Sequence, residues 1–206
     1  MTAQIDDLFR HRRALYSLAG ISEGELFDIS ALGLEPVPTC TACWRGYQAL
    51  FAVSRSRLVL DRLDVNLMRG GGEAGSAWAE NMEPELGPVI NGVSPSLAEG
   101  EYDLFNNHYT GLKYPLVYSG GVLLAKGFIE NLYVHMGFHP AWKYRTVIEL
   151  LFDAGVLKEE FVRSDQMAEI RTLITGSSAG LESNREQTFE EITRFIDRAF
   201  DRSYGM

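Results

Sequence analysis

The sequence predicts an α+β fold: a curled, mainly antiparallel sheet of about six or more strands, with C-terminal helices packed on it. Three observations predict it. β-favouring runs fill the middle of the chain, from Thr41 to Val162. After the strand-rich middle, the last forty or so residues switch to helical periodicity. Strands and helices therefore come in separate blocks and do not alternate, which argues against a parallel βαβ sheet. With 206 residues, 46% of them hydrophobic, the chain can bury one adequate core. We read residues 1–206 as a single domain, with a β-rich core at about 40–163 and a helical part at 165–203.

Charge narrows the function classes. Nineteen basic against 28 acidic residues give a net charge of −9, so nucleic acid and anionic membranes are not expected partners. No apolar run approaches the roughly 20 residues of a membrane span. Met1 to Arg13 is charged and lacks an apolar signal core, so a cytoplasmic location is expected.

Along the chain, Ile5, Leu8, Phe9, Leu15 and Tyr16 form a rough helical stripe over residues 5–18, which Gly20 would end. A strand is the alternative there. Pro36-Val37-Pro38 resists regular structure. Trp44, Tyr47, Leu50, Phe51 and Val53 form a β-favouring run, and Leu58-Val59-Leu60 with Leu63 and Val65 form another. The short polar stretch Ser54-Arg55-Ser56-Arg57 joins them as a hairpin. Residues 69–111 read as loop, opening with Gly70-Gly71-Gly72 and punctuated by Pro84, Pro88 and Pro95, with room only for short elements such as Val89-Ile90. So long a connection is unusual in a compact domain, and unusual loops are often functional.

Strand character returns at Leu116-Val117-Tyr118 and Val122-Leu123-Leu124, on either side of a bulge or bend at Gly120-Gly121. A hairpin follows, Val147 to Phe152 and Val156 to Val162, turning through Asp153-Ala154-Gly155. Met167, Ile170, Leu173 and Ile174 make a helical stripe that Gly176 to Gly180 ends. A capping box at Ser183-Asn184-Arg185-Glu186 opens a strongly amphipathic helix through Phe189, Ile192, Phe195, Ile196 and Phe200. Its apolar face packs on the sheet or makes a homodimer.

No motif specifies a reaction. Cys40-Thr41-Ala42-Cys43 has the spacing of a redox pair or half a zinc site. No second pair completes four sulfur ligands, and the residues that follow look like strand, so two structural thiols are expected and neither metal nor cofactor. Gly70-Gly71-Gly72 lacks the Lys-Ser or Lys-Thr of a phosphate loop.

Trp44-Arg45-Gly46-Tyr47, an aromatic at Phe51 and the strand Leu58-Val59-Leu60 form one signature; Ser119-Gly120, Gly127 and Tyr133-Val134-His135-Met136-Gly137-Phe138 form a second. Together, over about residues 40–163, they resemble a family of uncharacterised bacterial cytoplasmic proteins. That resemblance implies no established activity. The chain departs from the family pattern at Tyr118, at Ala125-Lys126 and in the residues after His139.

The candidate site residues lie in these signatures. Arg45, set among aromatics, stacks on Trp44 or Tyr47 or takes a carboxylate in bidentate fashion; it either pairs with an acid structurally or binds an anionic ligand. His135 is the catalytic candidate by residue type; otherwise it is a buried histidine. Ser119 is not a nucleophile elbow, and His135 with His139 does not make a zinc-protease motif, because Met136 stands where that motif has glutamate. Two readings follow. One is a binding or interaction protein whose surface around Trp44, Arg45, Tyr47, Ser119, Tyr133 and His135 recognises a protein partner or a small anionic ligand. The other is a small hydrolase or lyase using His135 in a pocket of the sheet.

Overall fold

The computed structural model describes residues 2–69, 82–98, 100, 103–178 and 202–204. The chain is mostly β-sheet with one described α-helix, and the sheet is mixed. Its strands are β1 (Leu8–His11), β2 (Ala14–Ile21), β3 (Tyr47–Ser54), β4 (Arg57–Val65), β5 (Met68–Arg69), β6 (Glu83–Pro84), β7 (Ser96–Leu97), β8 (Asn107–Pro115), β9 (Gly120–Phe128), β10 (Tyr144–Asp153) and β11 (Val156–Val162), followed by α1 (Ser164–Ser178). Nine of them join in the order β11-β10-β9-β2-β1-β3-β4-β8-β7, while β5 and β6 form a separate ribbon. A further pairing, Val156 with Arg57, links β11 to β4, so the strand order returns on itself. All neighbours are antiparallel except β1 and β3, which run parallel with Leu8 opposite Leu50.

The N-terminus is a hairpin and not the expected helix. Arg12 and Arg13 take φ of 46° and 66°, the two positive values of the type I′ turns that suit the right-handed twist of paired strands. Asn-Gly usually marks such a turn, and an Arg-Arg pair carries no such signal. Arg55 with Ser56, and Ala154 with Gly155, turn the same way. The β10–β11 connection is thus two residues, with Asp153 ending the strand, and not the expected three. Loop character was expected through residue 111, yet β8 begins at Asn107; the expected strand at 116–118 is the bend after it. Gly70-Gly71-Gly72 and the amphipathic segment after Ser183 lie outside the described residues.

Period-two alternation explains the core. In β9, Val122 and Leu124 join the main cluster with Phe9, Leu18, Phe51, Leu60 and Leu150, whereas Leu123 and Ala125 join a second cluster with Tyr144 and Val147. Met167 of α1 packs against that second cluster. Two polar ties fix the helix there. The Val147 N–H donates to Ser164 Oγ at 3.0 Å, and Arg171 donates to the carbonyls of Trp142 and Tyr144, both at 2.7 Å. Gly176 lies inside α1, which continues to Ser178.

Candidate functional site

The N-terminal segment lies against the entry to β3. The Ile5 N–H donates to the Ala42 carbonyl at 2.8 Å, and the Gln48 amide donates to the Asp6 carbonyl at 2.7 Å. Gly46 permits this local path. Its φ is +69°, and a Cβ there would overlap the Val37 carbonyl, so only glycine fits between Arg45 and Tyr47. The result delivers Asp7, one residue before β1, to the start of β3.

Asp7 is 3% exposed. Its carboxylate accepts Arg45 Nη1 at 2.6 Å on Oδ2 and Nη2 at 3.0 Å on Oδ1, a bidentate pair. The Ala49 N–H adds a bond to Oδ1 at 2.9 Å. A second guanidinium arrives from the C-terminal stretch, with Arg202 Nη1 donating to Oδ2 at 2.9 Å. Burial pushes the Asp7 carboxyl up, but Arg202, Arg45 and the hydrogen bonds outweigh it and hold it below its ordinary range. Burial likewise opposes the charge on Arg45, and Asp7 overrides it, so Arg45 is held more firmly protonated than usual.

Arg202 is placed by the backbone. The Ile21 N–H donates to the Arg202 carbonyl at 2.9 Å, and the Tyr204 N–H donates to the Ile21 carbonyl at 3.1 Å, extending β2 by a parallel bridge. Tyr204 then reaches across Gly20 and Gly121 to donate to Glu149 Oε1 at 2.8 Å. A Cβ at Gly121 would overlap the Tyr204 hydroxyl, so the glycine is what opens that path.

The aromatic floor is Phe138, whose ring centroid lies 3.7 Å from the Arg202 guanidinium carbon and 5.3 Å from that of Arg45. Arg45 also sits 4.7 Å over the Tyr47 ring. These groups border a cavity of about 280 Å³, otherwise walled mainly by Leu18, Ile21, Leu26, Phe27 and Phe51, with Glu25 among the exposed residues lining it. Two cations face one buried anion. The Arg202 side chain is 10% exposed, and its Nε and Nη2 are buried without a hydrogen-bond acceptor. An unsatisfied buried donor costs about 1–3 kcal/mol, and more when it is charged.

Of the residues singled out from sequence, Arg45 and Tyr47 line this cavity. Arg45 does both things its setting allowed, stacking on Tyr47 and pairing with a carboxylate. Trp44 is exposed and its N–H donates to Gln4 Oε1 at 3.2 Å. Ser119 stands at the β10–β11 turn, where its Oγ accepts the Ala154 N–H at 2.8 Å. Tyr133 and His135 are exposed and meet edge to face at 4.8 Å, away from the cavity lining. Cys40 and Cys43 flank a turn closed by the Cys43 N–H on the Cys40 carbonyl at 3.0 Å, and burial raises the Cys43 thiol. Among the described residues no cluster of His, Cys, Asp or Glu is gathered for a metal ion, and no helix is long and apolar enough to cross a membrane.

Sequence reasoning missed Asp7 and Arg202, which form the electrostatic heart of the site. Phe138 closes the second signature, but its meeting with Arg45 joins two segments more than 90 positions apart, and spacing alone does not announce it. Comparison with family models, curated proteins and solved structures returns no match.

Proposed function

We propose that this chain is a binding protein that takes a small anionic ligand into the cavity bordered by Arg45, Arg202 and Phe138. The observation that carries the reading is the imbalance at Asp7: two largely buried guanidinium groups share a single carboxylate, and one of them has two donors to spare. A charge-assisted hydrogen bond is about twice as strong as a neutral one, so an anion entering here meets the two guanidinium groups that line the cavity. A ligand-sized recess with an apolar wall and a few convergent polar groups is the usual form of a small-molecule site, and about 280 Å³ places this one at the small end.

Titration calorimetry of the full chain against acetate, inorganic phosphate and sulfate, beside the variant Arg202→Gln, tests the reading. Saturable binding of at least one anion, weakened about tenfold or more in the variant, is expected. Equal binding by both proteins, or none by either, contradicts it.

A further inference from the structure

We infer that Cys40 and Cys43 are a dithiol pair that closes reversibly to a disulfide, and that the turn they close clamps the N-terminal segment carrying Asp7, an inference independent of the anion-binding reading above. The two residues are paired across an isolated antiparallel bridge, and the Cys43 N–H donates to the Cys40 carbonyl at 3.0 Å. Residues opposed in such a bridge project to the same face, with Cβ atoms about 4.5–5.5 Å apart. A disulfide needs about 3.5–4.5 Å, so a small adjustment of the turn suffices. The sulfurs also share a neighbour. The Thr39 hydroxyl donates to Cys40 Sγ at 3.9 Å and lies within hydrogen-bond reach of the Cys43 sulfur. Both thiols are free.

Exposure divides the roles. Cys40 is partly exposed, whereas Cys43 is 3% exposed, so a small disulfide of the glutathione type meets Cys40 first. The Cys40 thiolate attacks one sulfur of this oxidant, whose S–S bond breaks and releases one thiol. The Cys43 thiolate then attacks the Cys40 sulfur, which forms the Cys40–Cys43 bond and releases the second thiol. Burial raises the Cys43 thiol, so this second step is the slower one. Two protein thiols are oxidised, one disulfide is reduced to two thiols, and the two protons pass to the leaving thiolates. The same turn is a dock for the N-terminus. The Gln4 amide donates to the Thr41 carbonyl at 2.9 Å, the Ile5 N–H donates to the Ala42 carbonyl at 2.8 Å, and the Thr2 and Thr41 hydroxyls lie 3.1 Å apart. Asp7 follows directly in the chain. A disulfide that stops residues 40–43 from opening keeps those partners in place.

The test equilibrates the full chain with oxidised and reduced glutathione at about pH 8, folded or unfolded in urea, then quenches with acid, alkylates and reads masses. In the folded chain the pair is expected to close within one molecule, with loss of two hydrogens. Its equilibrium constant is expected to be at least about tenfold above that of the unfolded chain, where the same spacing lacks the bridge. Cys43→Ser should stop at a glutathione adduct on Cys40, and Cys40→Ser should take up glutathione at least about tenfold more slowly. Amide exchange at Ile5 should be at least about threefold slower in the closed form than in the reduced one. The comparison of folded with unfolded wild type stands whether or not the variants fold. Closure no stronger in the folded chain, a disulfide between two chains, or thiols that stay open to alkylation overturns the pair. Equal uptake by the two variants overturns the order of attack. Unchanged exchange at Ile5 with the pair closed overturns the clamp and leaves the disulfide intact.

Discussion

Two buried carboxylates flank the same C-terminal stretch, and they are satisfied differently. Glu149 Oε2 accepts a hydrogen bond from Arg163 Nε at 2.7 Å and lies 2.6 Å from its Nη2 as an ion pair, and Oε1 accepts the Tyr204 hydroxyl at 2.8 Å. One anion meets one cation, and the guanidinium edge is filled. Asp7 meets two cations, and the Nε and Nη2 of Arg202 have no acceptor. The two residues carrying these contacts, Arg202 and Tyr204, stand on either side of Ser203. The closed pair at Glu149 ties the C-terminal stretch to β10 through Tyr204, and the same stretch brings Arg202 to Asp7.

The largest effect expected from breaking this contrast is Asp7→Asn. It leaves two guanidinium groups without their anion, and breaking a buried pair by removing one partner costs about 3–5 kcal/mol. Glu149→Gln keeps an acceptor for Tyr204 and strands only Arg163, whose side chain is 36% exposed and can turn to water; about 1–2 kcal/mol is expected. Urea unfolding of both variants measures this, and a larger loss at Glu149 would reverse the ranking of the two sites. Ligand binding sharpens the contrast, because Glu149→Gln should leave anion affinity within about threefold of wild type.

Part of this was legible in the chain. The β3–β4 hairpin, the β10–β11 hairpin and the helix at Met167 follow from period and turn chemistry, because each is a local fact. Arg45 and Tyr47 were legible as candidates because a guanidinium among aromatics has few uses. Asp7 was not, since it sat in a stretch whose helical stripe competed with a strand, and the turn that decides for the strand is an Arg-Arg pair with no glycine or asparagine. Arg202 carried no local signal at all. It matters only because Gly20 and Gly121 leave a path for Tyr204, and the bridge between Ile21 and Ser203 joins distant parts of the chain.

A smaller effect is expected in the acid limb of stability. His139 lies against the rings of Phe128 and Tyr133, and its Nδ1 is 3.5 Å from Lys143 Nζ. Burial first and Lys143 second lower it to about 4. The unfolded chain therefore takes up this proton first, from near pH 6.5, and stability contributed by neutral His139 falls as pH drops from there to about 4. Asp7 is held below its ordinary value, so its contribution is intact above about pH 4 and is lost as pH falls through its lower folded value. Unfolding free energies at pH 7.5, 5 and 3 should decline in two stages. His139→Gln should flatten the first stage only. An unchanged slope between pH 7.5 and 5 in that variant would remove His139 from the account.

The central claim is that an anion in the cavity acts on Arg202, which lines it, while Arg163, paired with Glu149, takes no part. Proton–nitrogen spectra of the arginine Nε–H groups read both edges at once in the full chain, with signals assigned by Arg202→Lys and Arg163→Lys. On titration with acetate, the Arg202 Nε–H resonance should shift saturably, and the Arg163 resonance should stay in place. An Arg202 resonance that does not move at saturating acetate, or one that moves no more than Arg163, would contradict the account.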